Sequence, residues 1–378
     1  MHTKRIACVF EHPTLSGGER SMMEVFRCLA GDGFEFHAYA PRRGKLWDAL
    51  DPFVASRTPF ERVREPVGEN SPAELTALAL ADCIGRSETP VDLLHGNSLS
   101  TAHFTGLAGK RLGIPAMAHV REIERLNPTR ARRLNENLRL VAVSRAVAEN
   151  LVACGVDAER VEVVYNGVNL EAVHPDRIGG TIRVELDIPC DAPLIAVVGQ
   201  ISLRKATDVF FEAVKLLVRR VPELHVLVVG ERFSQKAEAV ELEERIKVGI
   251  CDEGFAEQVH CLGWREDVLH ILRDLDLLVQ PSRQEPLGRV ILESAALGVP
   301  CVATDVGGSG EIVEHGQSGW LVPVDDPKAL ARAIERALVD QQELLAAGRE
   351  ARRVAEEKFP AETCAQRIAL IYRALLSG

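Results

Sequence analysis

Short, largely apolar runs alternate along this chain with longer stretches in which apolar residues recur every three or four positions. "RIACVF" (5–10), "FEFHAY" (34–39), "VDLLHGNS" (91–98), "PAMAHV" (115–120) and "RLVAVS" (139–144) are strand-sized and mainly apolar, so they read as strands of a sheet buried on both faces. Between them, Glu19–Ala30, "AHFTGLAGKRLG" up to Gly113 and "RAVAENLVACG" up to Gly155 have helical spacing and glycine stops. "VEVVYNGV" is a strand that ends in a turn at Asn166-Gly167. Strand and helix alternating at this length predict βαβ units and a parallel sheet. The pattern lapses at "HPDRIGGTIRVELDIPCDAP", which is rich in Pro, Gly and Asp. It then restarts at "PLIAVVG", "LHVLVVG", "DLLVQPS" and "PCVATD", with helices between them and two more at 327–340 and 362–376. The expectation is an α/β protein of two doubly wound, Rossmann-like domains, 1–178 and 193–360, joined by a linker at 179–192. Two such domains facing a central cleft would bind ligand there, at the carboxyl ends of the strands.

Composition narrows the function classes. The 378 residues are 46% hydrophobic but only 5% aromatic, as expected of Ala/Val/Leu-rich buried sheets. No apolar run reaches the length of a membrane span, and "MHTKRIACVF" runs into a strand without a signal-peptide core, so a cytoplasmic protein is expected. Nine cysteines stand singly with no C-x-x-C, which predicts free thiols in a reducing compartment and no metal site. A net charge of −10 argues against general nucleic-acid binding. The charge is uneven: the first 177 residues hold 22 Lys and Arg against 23 Asp and Glu, the remainder 23 against 32. Arg121, Arg125, Arg130, Arg132, Arg133 and Arg139 crowd one segment, either a solvated helix face or a patch for an anionic membrane surface.

Two stretches point to phosphate chemistry. "TLSGGER" (14–20) matches the signature of ABC-type ATPases, but the chain has no G-x-x-x-x-G-K-[ST] loop to partner it. What survives is a strand, a Ser-Gly-Gly turn and a helix start, where the backbone can approach an anion closely. The richer stretch is residues 280–323. Glu285 follows a strand that ends at Pro281-Ser282, and Glu293 lies in the next helix, whose start is Pro286-Leu287-Gly288. Carboxylates that can take paired hydroxyls, next to free helix amides that suit phosphate, would recognise a sugar beside a phosphate.

Over nearly its whole length the chain resembles retaining glycosyltransferases of family 4, which have the GT-B fold. The likeness is most specific at the E-x7-E spacing of Glu285 and Glu293 and the tail "GVPCVATDVGGSGEIVEHGQSGWLV". The resemblance implies that Glu293 holds the nucleotide ribose, while Glu285, Leu287, Gly288 and Arg289 contact the transferred sugar and its phosphate. "VVGQISLRKATDVFFEA" resembles the segment that grips the diphosphate, which assigns Lys205 that role. The family's usual Arg is Gln200 here, and neighbouring Arg204 is the candidate replacement. "HVREI" implies that His119 reaches the donor sugar, and places Arg121 towards the acceptor. Gly17 and Gly18 fall near the phosphates or the acceptor, and "YNGV" (165–168) reads as structural. By the same resemblance the last helix (361–378) returns to the first domain, which would bind a glycan or lipid-linked acceptor.

Cleaving a sugar–diphosphate bond leaves two extra charges, which must meet a metal or fixed cations and amides. Asp274 and Asp276 offer an Asp-x-Asp, yet sit where a helix passes into a strand, so Lys205 with Arg204 is the preferred stabiliser. The expected activity is metal- and cofactor-independent transfer of a hexosyl group, with retention, from a UDP- or GDP-sugar. Glu285 is the formal candidate for a covalent nucleophile; attack on the same face, with the departing phosphate taking the proton, is the alternative. The rivals are a nucleotide-sugar epimerase of the same fold and a non-catalytic two-domain binding protein. Trp264 and the turn Gly307-Gly308, Gly310 read as structural elements beside a nucleotide pocket.

Overall fold

The computed structural model describes residues 3–67, 70–252, 255 and 257–377, and the chain divides into two compact units. The first runs to Gly167 and takes in the chain from Ala361 onward; the second is Val168–Pro360.

The first unit holds seven strands: β1 (Lys4–Val9), β2 (Phe34–Ala40), β3 (Ser56–Pro59), β4 (Leu93–Gly96), β5 (Ala116–Val120), β6 (Arg139–Ala142) and β7 (Val161–Val163). All pair in parallel in the order β3-β2-β1-β4-β5-β6-β7, so the winding reverses between β1 and β4. Alternate side chains supply two cores. One face carries Ile6, Cys8, Phe36, Leu93 and Met117 against the helices Gly17–Leu29 and Ala361–Leu376. The other carries Ala7, Val9, Tyr39 and Leu94 against Leu80 and Phe104, from the helices Pro72–Gly85 and Leu99–Leu112. Ser98 caps the latter through the Thr101 amide at 3.2 Å, and Gly113 ends it in the left-handed conformation at φ 70°. The C-terminal helix is fixed by Tyr372 against Phe34 (ring centroids 5.3 Å apart) and by the ion pairs Arg373–Asp32 at 2.7 Å and Arg27–Glu362 at 2.9 Å.

The second unit repeats the winding with six strands: β8 (Leu194–Val198), β9 (His225–Val229), β10 (Val259–Gly263), β11 (Leu277–Gln280), β12 (Cys301–Thr304) and β13 (Gly319–Val322). Their order is β10-β9-β8-β11-β12-β13, again all parallel, with the reversal between β8 and β11. Residues 168–192, divided by the sequence pattern between the first domain and a linker, group with this unit instead. Arg183 anchors them: it donates to Asp276 at 2.9 Å and to the Asp274 carbonyl at 3.1 Å, while the Ile182 amide reaches the Asp274 carboxylate at 2.8 Å. Both aspartates of the Asp-x-Asp are thereby committed to backbone and guanidinium groups.

The carboxyl ends of β8 and β9 meet through glycine. Gly230 has φ +133°, and a Cβ there would stand 1.9 Å from the Gly199 carbonyl oxygen. Backbone cannot give way as a side-chain tip can. Gly230→Ala is therefore expected to cost about 3 kcal/mol from strain and overpacking, lowering the melting temperature of the protein by roughly 10 °C for a unit of this size. A melt within 2–3 °C of the parent, as a scanning-calorimetry trace would show, contradicts this packing. Among the described residues no helix is long and apolar enough to cross a membrane.

Candidate active site

Ligands of doubly wound sheets bind beyond the carboxyl ends of the strands, where the winding reverses. In the second unit that point lies between β8 and β11, and two loops converge on it. The loop after β8 brings Arg204 and Lys205; the loop after β11 brings Glu285. Eighty residues apart in sequence, Lys205 Nζ and Glu285 Oε2 lie 2.5 Å apart, with side chains only 15% and 6% exposed. Gln280 Nε2 and Ser282 Oγ donate to the same oxygen at 2.7 and 3.2 Å. Burial alone would raise the Glu285 carboxyl. The Lys205 charge and hydrogen bond, the Gln280 amide and the Arg204 charge override it and hold the group below the usual carboxylate range. Arg204 itself is exposed and donates to the Gln284 carbonyl at 3.3 Å.

Arg283, which the sequence pattern did not single out, ties these loops together. It forks onto both oxygens of Asp208 at 2.9 and 2.7 Å, reaches Asp325 at 2.6 Å and donates to the Leu203 carbonyl at 2.7 Å. Asp208 lies in the first turn of the helix Thr207–Leu217, so the fork pins the start of that helix to the Glu285 loop. The helix Arg289–Ala296 begins right after Gly288, whose φ of +100° turns the chain into it. A Cβ on Gly288 would meet Ile291 at 2.7 Å. Leu287 is buried beneath, and Arg289 Nε donates to Glu293 Oε1 at 2.7 Å one turn on. Glu285 and Glu293 thus share one edge of the sheet but have different cations. The turn at Gly307-Gly308 closes over the loop: the Gly308 amide donates to the Glu285 carbonyl at 2.9 Å. Trp264 is 40% exposed after β10.

The first unit has its own cluster where β1, β4 and β5 end. Ser16 and Glu19 form a capping box at the helix that Gly17 and Gly18 open. A Cβ on Gly18 would stand 2.9 Å from Arg121 Cδ, so the glycine turn lies against that side chain. Arg121 donates from Nε to the Asn97 carbonyl at 3.1 Å, from Nη2 to the Asn97 side chain at 3.2 Å, and from Nη1 to Asn166 Oδ1. It joins three loops, and Asn166 of the "YNGV" turn is one of its anchors. Glu122, also unforeseen, accepts the Leu99 and Arg121 amides at 3.0 and 2.9 Å; burial outweighs these and pushes its carboxyl up.

His119, near the end of β5, has no exposed surface and neither does His95 on β4. Burial first, then the Arg121 charge, depresses His95 to about 3 and His119 well below its ordinary value, so both are neutral at pH 7. His119 Nε2 is buried and has no hydrogen-bond partner among the described residues. Of the other segment arginines, Arg130 donates to His103 and Glu124, Arg133 to Ser71 and Arg139 to the Glu159 carbonyl. Arg125 and Arg132 are exposed.

Comparison with known proteins meets this geometry on both units. Residues 15–172 match the family described as Glycosyltransferase Family 4, and residues 180–354 match Glycosyl transferases group 1. A D-inositol 3-phosphate glycosyltransferase of Streptomyces avermitilis is 31% identical over 335 residues, 82% of this chain and 72% of that protein. The UDP-Gal:alpha-D-GlcNAc-diphosphoundecaprenol alpha-1,3-galactosyltransferase of Escherichia coli is 23% identical over 359 residues, 90% of this chain and 89% of that one. Among solved structures, Anabaena HepE in complex with UDP-glucose superposes with a TM-score of 0.82 at 22% identity, covering 98% of this chain and 99% of that one. A glycosyltransferase from Rickettsia africae gives 0.84 at 21% identity, covering 100% and 99%. With two parallel Rossmann-like sheets of the GT-B fold and relatives that are enzymes of this kind, the chain belongs to glycosyltransferase family 4.

Proposed function

We propose that this glycosyltransferase moves a hexosyl group, with retention and without a metal ion, from a UDP-sugar to a phosphate-bearing glycan or lipid-linked acceptor. The observation that carries the reading is the contact of Lys205 with Glu285 at the winding reversal of the second unit. An ammonium has three protons, so Lys205 can bond Glu285 and still offer two to a diphosphate. Arg204 adds charge, and the helix Arg289–Ala296 starts at the end of the Glu285 loop, where its positive end favours an anion. Fixed cations and amides of this kind stabilise a leaving group without reorganising. Glu293 is assigned the two ribose hydroxyls, His119 a hydroxyl of the transferred sugar, and the first unit the acceptor, with Arg125 and Arg132 at an anionic membrane surface.

Glu285 receives three donors on Oε2 and stays ionised. That makes it a poor base and a weak nucleophile, but a good acceptor for a sugar hydroxyl. Retention is therefore assigned to same-face attack, in which the departing diphosphate oxygen takes the acceptor's proton. The donor follows the Escherichia coli relative, named for UDP-Gal, and the Anabaena structure, which holds UDP-glucose. A phosphate-bearing acceptor follows the relatives named for inositol phosphate and diphosphoundecaprenol.

Melting in the presence of EDTA tests this. UDP at 100 times its dissociation constant adds about 2.7 kcal/mol, a rise of several degrees. GDP, ADP and NAD should leave the melt unmoved, and Glu293→Ala should abolish the UDP shift. A chain that responds only to GDP, ADP or NAD, or to none of these, is not the transferase proposed.

A further inference from the structure

Three buried side chains of the first unit form an unbroken line. Tyr372 Oη lies 2.5 Å from His95 Nδ1, and His95 Nε2 lies 2.7 Å from His119 Nδ1. The two imidazoles are inclined by only 17° with centroids 4.9 Å apart, which with so short an N···N distance places them edge to edge, in line for an N–H···N bond. Strand alternation produces the line: Leu93 and His95, like Met117 and His119, point to the sheet face that the C-terminal helix covers. The line ends at His119 Nε2, a buried nitrogen with no hydrogen-bond partner among the described residues.

Neutral imidazoles have one donor and one acceptor nitrogen each, so the line admits two proton registers. In the first, the Tyr372 hydroxyl donates to His95 Nδ1, His95 Nε2–H donates to His119 Nδ1, and His119 carries its proton on Nε2. In the second, His119 Nδ1–H donates to His95 Nε2 and His95 Nδ1–H donates to the tyrosine oxygen. The phenolic hydrogen then has no acceptor, because His95 is the single hydrogen-bond partner of Tyr372 Oη among the described residues. Each register leaves one buried donor without a partner among the described residues: the first the His119 Nε2–H, at the end of the line where a ligand oxygen can accept it, the second the fully buried Tyr372 hydroxyl beneath the C-terminal helix, where folding penalises it.

We infer that Tyr372, acting through His95, fixes the proton of His119 on Nε2 and so makes that atom a hydrogen-bond donor to an oxygen of the ligand. The inference rests on the proposed reading in taking that oxygen to be a hydroxyl of the donor's sugar. Tyr372 and His95 are positioning residues, and the C-terminal helix thereby serves the site as well as the core. A donor-only Nε2 selects ligands with an oxygen lone pair at that point.

The test reads the tautomer directly, by ¹⁵N NMR of protein labelled at histidine, beside turnover of UDP-glucose and binding of UDP. In the parent, His119 should show a protonated Nε2 and a bare Nδ1. In Tyr372→Phe, which keeps the ring, that single-tautomer signature should give way to a mixture. UDP-glucose turnover should fall about tenfold, the worth of one hydrogen bond at the upper end of its usual range. UDP, which lacks the transferred sugar that would meet His119, should bind both proteins alike. A bare Nε2 in the parent overturns the inference whether or not the variant folds, and so does an unchanged His119 tautomer in folded Tyr372→Phe. If the tautomers behave as expected but His119→Ala turns over UDP-glucose at the parental rate, the register stands and the donor-sugar assignment of His119 fails.

Discussion

Replacing Lys205 by methionine should lower the rate of sugar transfer by about 10²–10³, the loss seen when a fixed donor to a developing anion is removed. Two effects add. In the proposed mechanism the leaving diphosphate loses an ammonium that the fold holds at the winding reversal. Glu285, 6% exposed, also loses the cation 2.5 Å away that keeps it ionised. Its remaining donors, Gln280 and Ser282, are neutral, so its carboxyl should move up from its depressed position. Removing one partner of a buried pair costs about 3–5 kcal/mol, and the partial exposure of Lys205 places this case near the lower end. Urea titration should therefore show the single variant destabilised, and Lys205→Met/Glu285→Gln restored towards the parent, because no lone charge is then buried. The double variant should recover stability and not rate. A Lys205→Met enzyme that transfers within a few-fold of the parent would remove Lys205 from the chemistry and leave it a structural partner of Glu285.

How far this site can be read from sequence depends on which interactions are local. The strand ends before Arg204 and Glu285 are legible from apolar runs that stop at Gly199 and Pro281, and a loop at a strand end is where chemistry is expected. That β8 and β11 are neighbours is not local; it follows from the winding order, and only then do Lys205 and Glu285 meet. Arg283 looks like any surface arginine until Asp208 and Asp325 are brought to it. His95 and Tyr372 are each single polar groups within apolar stretches, and what singles them out is their mutual distance across 277 residues. The fold shows the same division. The helix Pro72–Gly85, "PAELTALALADCIG", is too evenly apolar to show one face, and Gln341–Lys358 buries mainly small residues, Ala347, Gly348, Ala351 and Ala355, which leave a faint stripe. Strand β3, "SRTP", is a polar edge strand with no alternation. Residues 170–192 have the Pro and Gly content of a linker, but composition marks loops, and Arg183 makes this one part of the second unit.

Acidification should weaken the protein well before its carboxylates titrate. His95 and His119 are held neutral in the folded state, His95 at about 3 and His119 also far below its ordinary value, by burial and then by the Arg121 charge. In the unfolded chain both return to a pKa of about 6.5. Below that pH the unfolded state binds two protons that the folded state refuses, so stability is intact above about pH 6.5 and drains away as pH falls towards the folded values. His95 contributes a slope approaching 1.36 kcal/mol per pH unit, which amounts to about 2 kcal/mol lost between pH 7 and pH 5, and His119 acts in the same direction. His103, depressed to about 4 by burial and by Arg130, Arg133 and Arg62, acts in the same direction. Glu122, raised by burial, opposes it as it gains a proton in the folded state. Urea midpoints at pH 7, 6 and 5 measure the slope, and a flat profile over that range would mean that both histidines of the pair accept a proton while folded. That outcome matters for the chemistry as much as for stability. A protonated pair would carry hydrogens on all four ring nitrogens, His95 Nε2 and His119 Nδ1 would repel each other at 2.7 Å, and the line from Tyr372 could no longer set a single register. Loss of stability on the acid side is therefore the expected cost of keeping His119 neutral and pointed one way.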